Sequence, residues 1–223
     1  MANDDVKRRG TAARGRLVAA VVAGLCLAAG AWWPGPSPAA AASVERFVIV
    51  PADSTVTYRV GETFVTGNRY NLAVGTTHDV QGEAYVDRAH PSNSRIGPVT
   101  VNISTFQSDK RRRDQAIRDH WLESTKYPTA VFTPTAIHGL PATYRDGQDA
   151  PVEIPGTLRV RDVTKPVTFA GTVKLSGNTL TGKLQTTIQM TDFGFDPPSI
   201  LGMLKAENKA QLELDFTAEA PQS

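Results

Sequence analysis

Large apolar side chains fall on alternate positions along Val167, Phe169, Val173 and Leu175, and again along Ala210, Leu212, Leu214, Phe216 and Ala218. A period of two gives a strand one dry face and one wet face. Lys174 fills a gap in the first stretch, and Glu213 and Asp215 fill gaps in the second. The same rhythm runs through Val56, Tyr58 and Val60, through Val80, Gly82, Ala84 and Val86, and through Val99, Val101 and Ile103. It returns at Phe47 to Val50, at Ala130 to Phe132, at Leu158 and Val160, and at Leu184, Ile188 and Met190. About eight strands joined mostly in sequence, without long helical crossovers, predict an all-β antiparallel barrel.

The alternation fixes which side chains point inward. Tyr58, Val101, Ile103, Leu158, Val160 and Phe169 are expected inside, with Val173, Leu184, Ile188, Leu212, Leu214 and Phe216. Asn102, Arg159, Lys174, Glu213 and Asp215 are expected outside. The functional question is whether that interior is filled by side chains or by a guest.

Turn chemistry supports the strand reading. Leu175 to Leu180 reads as a hairpin in which Gly177 and Asn178 supply positive φ. Gly171 and Gly182 interrupt strands where a coiled sheet needs kinks. Asp87 to Pro98 and Gly139 to Pro155 are predicted loops. Ser108 to Lys126 is helical in character, with Ser108 or Asp109 as cap and an Asp114–Arg118 pair. Its apolar edge is Ile117, Trp121 and Leu122, and Tyr127-Pro128 ends it. Such an insertion is placed to lie over the mouth of a barrel.

Residues 1–43 have a different character. Lys7, Arg8, Arg9, Arg14 and Arg16 precede an apolar run from Leu17 to Trp33, followed by a Pro- and Ala-rich stretch from Pro34 to Ala42. This is the order of an export signal, and the run is also close to the length of a single-pass anchor. Cleavage after Ala42 and retention in the membrane are both open, and either one exports the barrel, residues 44–220. That portion has about 180 residues, ample for one core. The one cysteine, Cys26, lies in the apolar run, so the exported part has no disulfide or thiolate site. A formal charge of +2 argues against nucleic acid as a partner.

The chemical inventory is thin. His78, His90, His120 and His138 lack metal-ligand spacing. No Gly-x-Ser-x-Gly elbow occurs. Gly177 to Lys183 mimics a phosphate loop, but Leu184 stands where a magnesium-binding hydroxyl belongs, and the segment reads as a hairpin. Asp192 and Asp196 around Phe193-Gly194-Phe195 fit turn chemistry better than acid–base work. No catalytic residue, metal or cofactor is expected.

Several motifs occur together and in order. They are Arg113-Asp114, Trp121-Leu122-Glu123-Ser124, Lys126 to Phe132, Gly156 to Val160, Val163 to Val167, and Thr191-Asp192-Phe193-Gly194-Phe195. Asp53, Ser54, Val56 and Tyr58 open the series. The set resembles the YceI-like family across nearly all of the exported portion. The resemblance implies a lipocalin-like eight-stranded barrel, exported from bacteria, whose lumen holds a long-chain lipid such as a polyisoprenoid, an isoprenoid quinone or a fatty amide. Ile117, Trp121, Phe132 and Phe193 join the inward residues in the expected lipid-binding set. Two departures stand out. Gln189-Met190-Thr191 lacks the arginine common before the family's Asp-Phe-Gly, and Asp162 replaces a hairpin glycine.

Lys110, Arg111, Arg112 and Arg113 set four cations where the helix dipole favours anions. They are either a solvated run or a contact for lipid headgroups or an anionic membrane surface. The expectation is an exported carrier or sequestering protein with a bound lipid. The alternative is an envelope interaction domain with a side-chain-filled barrel. Self-association is left open.

Overall fold

The computed structural model describes residues 44–200 and 203–221. Strands β1 (Val44–Ile49), β2 (Thr55–Phe64), β3 (Arg69–Thr77), β4 (Val80–Gln81) and β5 (Glu83–Asp87) come first. β6 (Arg95–Ile96), β7 (Val99–Asn102) and β8 (Gln107–Ser108) lead to helix α1 (Arg111–Ala116). β9 (Thr129–Pro134), β10 (Asp149–Val160), β11 (Val163–Ser176), β12 (Thr179–Gln189), β13 (Ser199–Ile200) and β14 (Leu204–Glu219) follow.

Several short strands are parts of longer paths. β1 and β2 run in series, β1 between β14 and β5, and β2 between β14 and β3. β3, β4 and β5 form the next path, and β7 with β8 the one after it. β9, β10, β11, β12 and β14 complete the set, each paired antiparallel to its neighbour. The pairings return to their start, so eight paths close into an up-and-down barrel. The join between the β3–β4 and β7–β8 paths is the thinnest, with two ladder pairs at each end. Side chains fill its gap, where Asn102 Nδ2 donates to Asp79 Oδ2 at 2.7 Å and the Thr77 and Thr105 hydroxyls meet at 2.7 Å.

The alternation read along β14 is realised in three dimensions. Ala210, Phe216 and Ala218 are buried, and Leu212 and Leu214 are half-buried against the core. Glu213 and Asp215 turn outward, with Glu213 3.1 Å from Lys183 Nζ. Gly182 serves packing on this face, because a Cβ there would stand 2.5 Å from the Phe216 ring. The Gly177–Lys183 segment is a β11–β12 hairpin with Gly177 at φ 54°, whereas Asn178 does not take positive φ. In the β10–β11 turn it is Arg161, at φ 57°, that takes the left-handed conformation rather than Asp162.

Other expectations are corrected. β10 begins at Asp149, inside the predicted loop, and carries Pro151 and Pro155. Prolines are tolerated because this half of β10 pairs continuously with β11 alone, its other edge holding only a His138–Glu153 bridge. Ile103 sits in a single 3-10 turn after β7, still buried. The predicted helix shrinks to six residues, followed by a wider turn over Ile117–Trp121. Asp114 does not make the expected pair. It is buried and accepts from the Ser108 N–H and Oγ, at 3.0 and 2.5 Å, instead of pairing with Arg118. Neither Ser108 nor Asp109 is the helix cap, and the Ser108 hydroxyl also accepts from the Lys110 N–H at 3.3 Å and from Arg113 at 3.2 Å. Arg118 donates to the Phe106 carbonyl at 3.2 Å.

Among the described residues no helix is long and apolar enough to cross a membrane. The Leu17–Trp33 run, Cys26 and the export reading of residues 1–43 lie outside the described residues.

Candidate functional site

The barrel encloses a cavity of about 420 Å³. β2 contributes Val56, Tyr58 and Val60, β14 contributes Ala210, Leu212 and Leu214, and β12 contributes Leu184 and Ile188. Ile154, Leu158 and Val160 of β10 and Phe169 of β11 form another side. Phe132 of β9, Val101 and Ile103 complete the wall, and Ile117, Trp121 and Leu122 of the insertion lie across it. The space exists because small residues occupy inward positions. Ala73, Ala130, Ala206 and Ala210 all line it, and each leaves room that a larger side chain would fill. Two edge-to-face aromatic pairs stiffen the wall, Phe132–Phe169 at 4.8 Å and Tyr58–Phe106 at 5.2 Å between centroids.

Thirteen of the sixteen expected lumen residues line this cavity: Tyr58, Val101, Ile103, Ile117, Trp121, Phe132, Leu158, Val160, Phe169, Leu184, Ile188, Leu212 and Leu214. Val173 and Phe216 line a second cavity of about 140 Å³ instead. Phe193 lines neither. It is buried against Val60, Ile188 and Met190, and acts as core. The two cavities share Ile96, Val99, Ile154, Leu184 and Leu214 as common wall. Ile154, fully buried between them, escaped sequence reading because it fell in a predicted loop. Val56 and Val60 were legible from their phase with Tyr58, whereas Phe195 and Ala206 had no comparable signal.

Tyr58 is the phenol of an otherwise mostly apolar wall. Its ring occupies the space that a side chain at Gly75 would need. Burial, with a smaller contribution from the Asp114 carboxylate, pushes its pKa up to about 12. The stability linked to this group is therefore complete below pH 10 and is lost as pH rises from 10 through 12. An alkaline absorbance titration should show a late phenol near pH 12 that vanishes in Tyr58→Phe. Titration of every tyrosine near pH 10 would refute that placement.

The mouth is charged. Glu62, buried on β2, accepts from Arg113 Nε at 3.1 Å, from its terminal nitrogen at 2.9 Å and from Asn71 Nδ2 at 3.1 Å. Arg113 also pairs with Asp109. The four-cation run therefore divides: Arg113 is a neutralised, half-buried brace, and Lys110, Arg111 and Arg112 are exposed. Lys110 and Arg112 reach the cavity mouth, and Arg111 does not. On the other flank, Arg161 holds the insertion down through Glu123 at 2.5 Å and the Trp121 carbonyl at 3.3 Å. Such an arrangement can bury an apolar chain and present cations to whatever polar group remains at the mouth.

Comparison with known proteins agrees with this architecture. Over 101 residues the chain is 33% identical to the Protein YceI of Shigella flexneri, which covers 45% of this chain and 48% of the relative. The chain thus spans about half the length of that relative. A UPF0312 protein of Pseudomonas putida is 29% identical over 157 residues, 67% of this chain and 74% of the relative. Among solved structures, Burkholderia cenocepacia BcnA superposes with a TM-score of 0.57 at 18% identity, covering 76% of this chain and 98% of its own. A polyisoprenoid binding domain from Saccharophagus degradans, implicated in plant cell wall breakdown, gives 0.58 at 14% identity, covering 80% and 100%. These likenesses show the fold. The YceI-like domain model matches residues 47–218, nearly the whole of the ring of strands, and the chain belongs to that family.

Proposed function

We propose that this protein is a carrier or sequestering protein that buries a long-chain apolar molecule in its lumen, and that it works outside the cytoplasm. The observation that carries the reading is the 420 Å³ cavity, within the usual size range of ligand sites and walled mainly by aliphatic and aromatic side chains. A filled barrel would favour the alternative, an envelope interaction domain, and the cavity argues against it. The polyisoprenoid named for the Saccharophagus domain supports an isoprenoid guest, with quinones and fatty amides as relatives of the same shape. Burial supplies the affinity. At about 0.8 kcal/mol per methylene, some ten methylenes approach micromolar binding before ordering costs. A binding role needs no catalytic group, so we read the protein as a non-enzyme. The basic and apolar order of residues 1–43 supports export to the cell envelope, by anchoring or by release.

Native mass spectrometry of the full chain from a native-like bacterial host, followed by organic extraction, should reveal a near-stoichiometric long-chain lipid. Protein that is lipid-free and takes up no apolar probe would refute the carrier reading. Fractionation of the same cells should place the protein in the envelope or the medium. Recovery in the cytosol would refute export.

A further inference from the structure

The charges at the cavity mouth are unequally satisfied. Each carboxylate beside the helix start already has a partner: Glu62 and Asp109 have Arg113, and Asp114 has Ser108. Lys110 and Arg112 line the cavity yet form no ion pair among the described residues. Lys110 is also held near the opening, its Nζ 5.4 Å from the centroid of the Phe64 ring, which itself lines the cavity. The brace beneath them is fixed, because Arg113 is committed to buried Glu62 by two hydrogen bonds.

We propose that Lys110 and Arg112 form a headgroup site, and that the lumen's ligand is an anionic amphiphile: one apolar chain ending in a carboxylate or phosphate. The proposal rests on the carrier reading and narrows it. With the chain in the cavity, its polar end emerges beside two cations with no competing carboxylate free to take them. Charge-assisted hydrogen bonds are shorter and stronger than neutral ones. A quinone, alcohol or amide of the same chain would gain only neutral contacts there. Two such bonds are worth roughly a hundredfold in affinity. Arg111, on the same run but off the cavity wall, has no part in the site.

The test uses the full chain and three ligands of one chain length: hexadecanoate, hexadecyl phosphate and hexadecanol. Each displaces a fluorescent apolar probe at low salt. The two anions should bind about a hundredfold more tightly than the alcohol, and Lys110→Gln with Arg112→Gln should bring them down to it. Arg111→Gln should leave the preference intact, and thermal melting should confirm that each variant folds. Equal affinity for all three ligands would overturn the headgroup site while leaving the carrier reading standing. Failure of all three to displace the probe would overturn the carrier reading itself. Competition by inorganic phosphate alone at the concentration of the hexadecyl compounds would overturn the amphiphile and indicate a free-anion site. Flotation with anionic vesicles that requires Lys110 and Arg112, without any preference among the three ligands, would overturn the proposal in favour of membrane docking.

Discussion

Ala210→Trp is expected to empty the lumen while the barrel still folds. Ala210 on β14 sits opposite Val60 of β2 and Ile188 of β12, with its methyl group facing the cavity. An indole there points into open space first and into packed neighbours second. Occupying the room of about five methylenes removes about 4 kcal/mol of chain burial, nearly a thousandfold in affinity. Overpacking itself costs about 1–3 kcal/mol of stability. Lipid content by extraction and mass spectrometry should therefore fall far more than the denaturation midpoint. Unchanged lipid content in a folded variant would show that the guest does not occupy this cavity.

Glu62→Ala carries the largest expected loss of stability, about 3–5 kcal/mol, because it strands the Arg113 guanidinium at the mouth without its buried partner. Asp109 still pairs with Arg113 but is exposed, so it compensates little. Glu62→Leu combined with Arg113→Met should recover most of the loss, since an apolar pair of similar volume avoids desolvating two charges. Urea unfolding of the three proteins decides the matter. A single variant within 1 kcal/mol of the parent would show that the pair is solvated and contributes little.

The strands were legible wherever burial on one face wrote itself into the chain. Alternation along Ala210, Leu212, Leu214, Phe216 and Ala218 suffices to assign β14 and its inward row. It failed for the first half of β10, where Pro151 and Pro155 carry the signature of a loop and only the pairing with β11 makes a strand. The helical insertion failed for another reason. Its local pattern predicts a longer helix, but Asp114 is drawn inward to Ser108 and the winding widens at Ile117. Charge alone does not tell four adjacent cations apart either. Arg113 is singled out by Glu62, which lies 51 positions earlier and meets it only when the barrel forms. Phe193 shows the converse error, since a family motif pointed to the lumen and the side chain is core instead.

The closure of the ring has a consequence in time. Ser54 Oγ, between β1 and β2, accepts from the N–H of Thr217 on β14, 163 positions away. The β1–β14 ladder beside it, where Val48 pairs with Glu219, closes a still longer loop, so the ladders between sequence neighbours have an entropic head start. Until β14 docks, the rows of β2 and β12 that it joins face each other across a gap, and the container has no wall on that side. On the carrier reading proposed above, a chain whose β14 has not yet docked has no closed lumen to load, so loading waits for the latest strand.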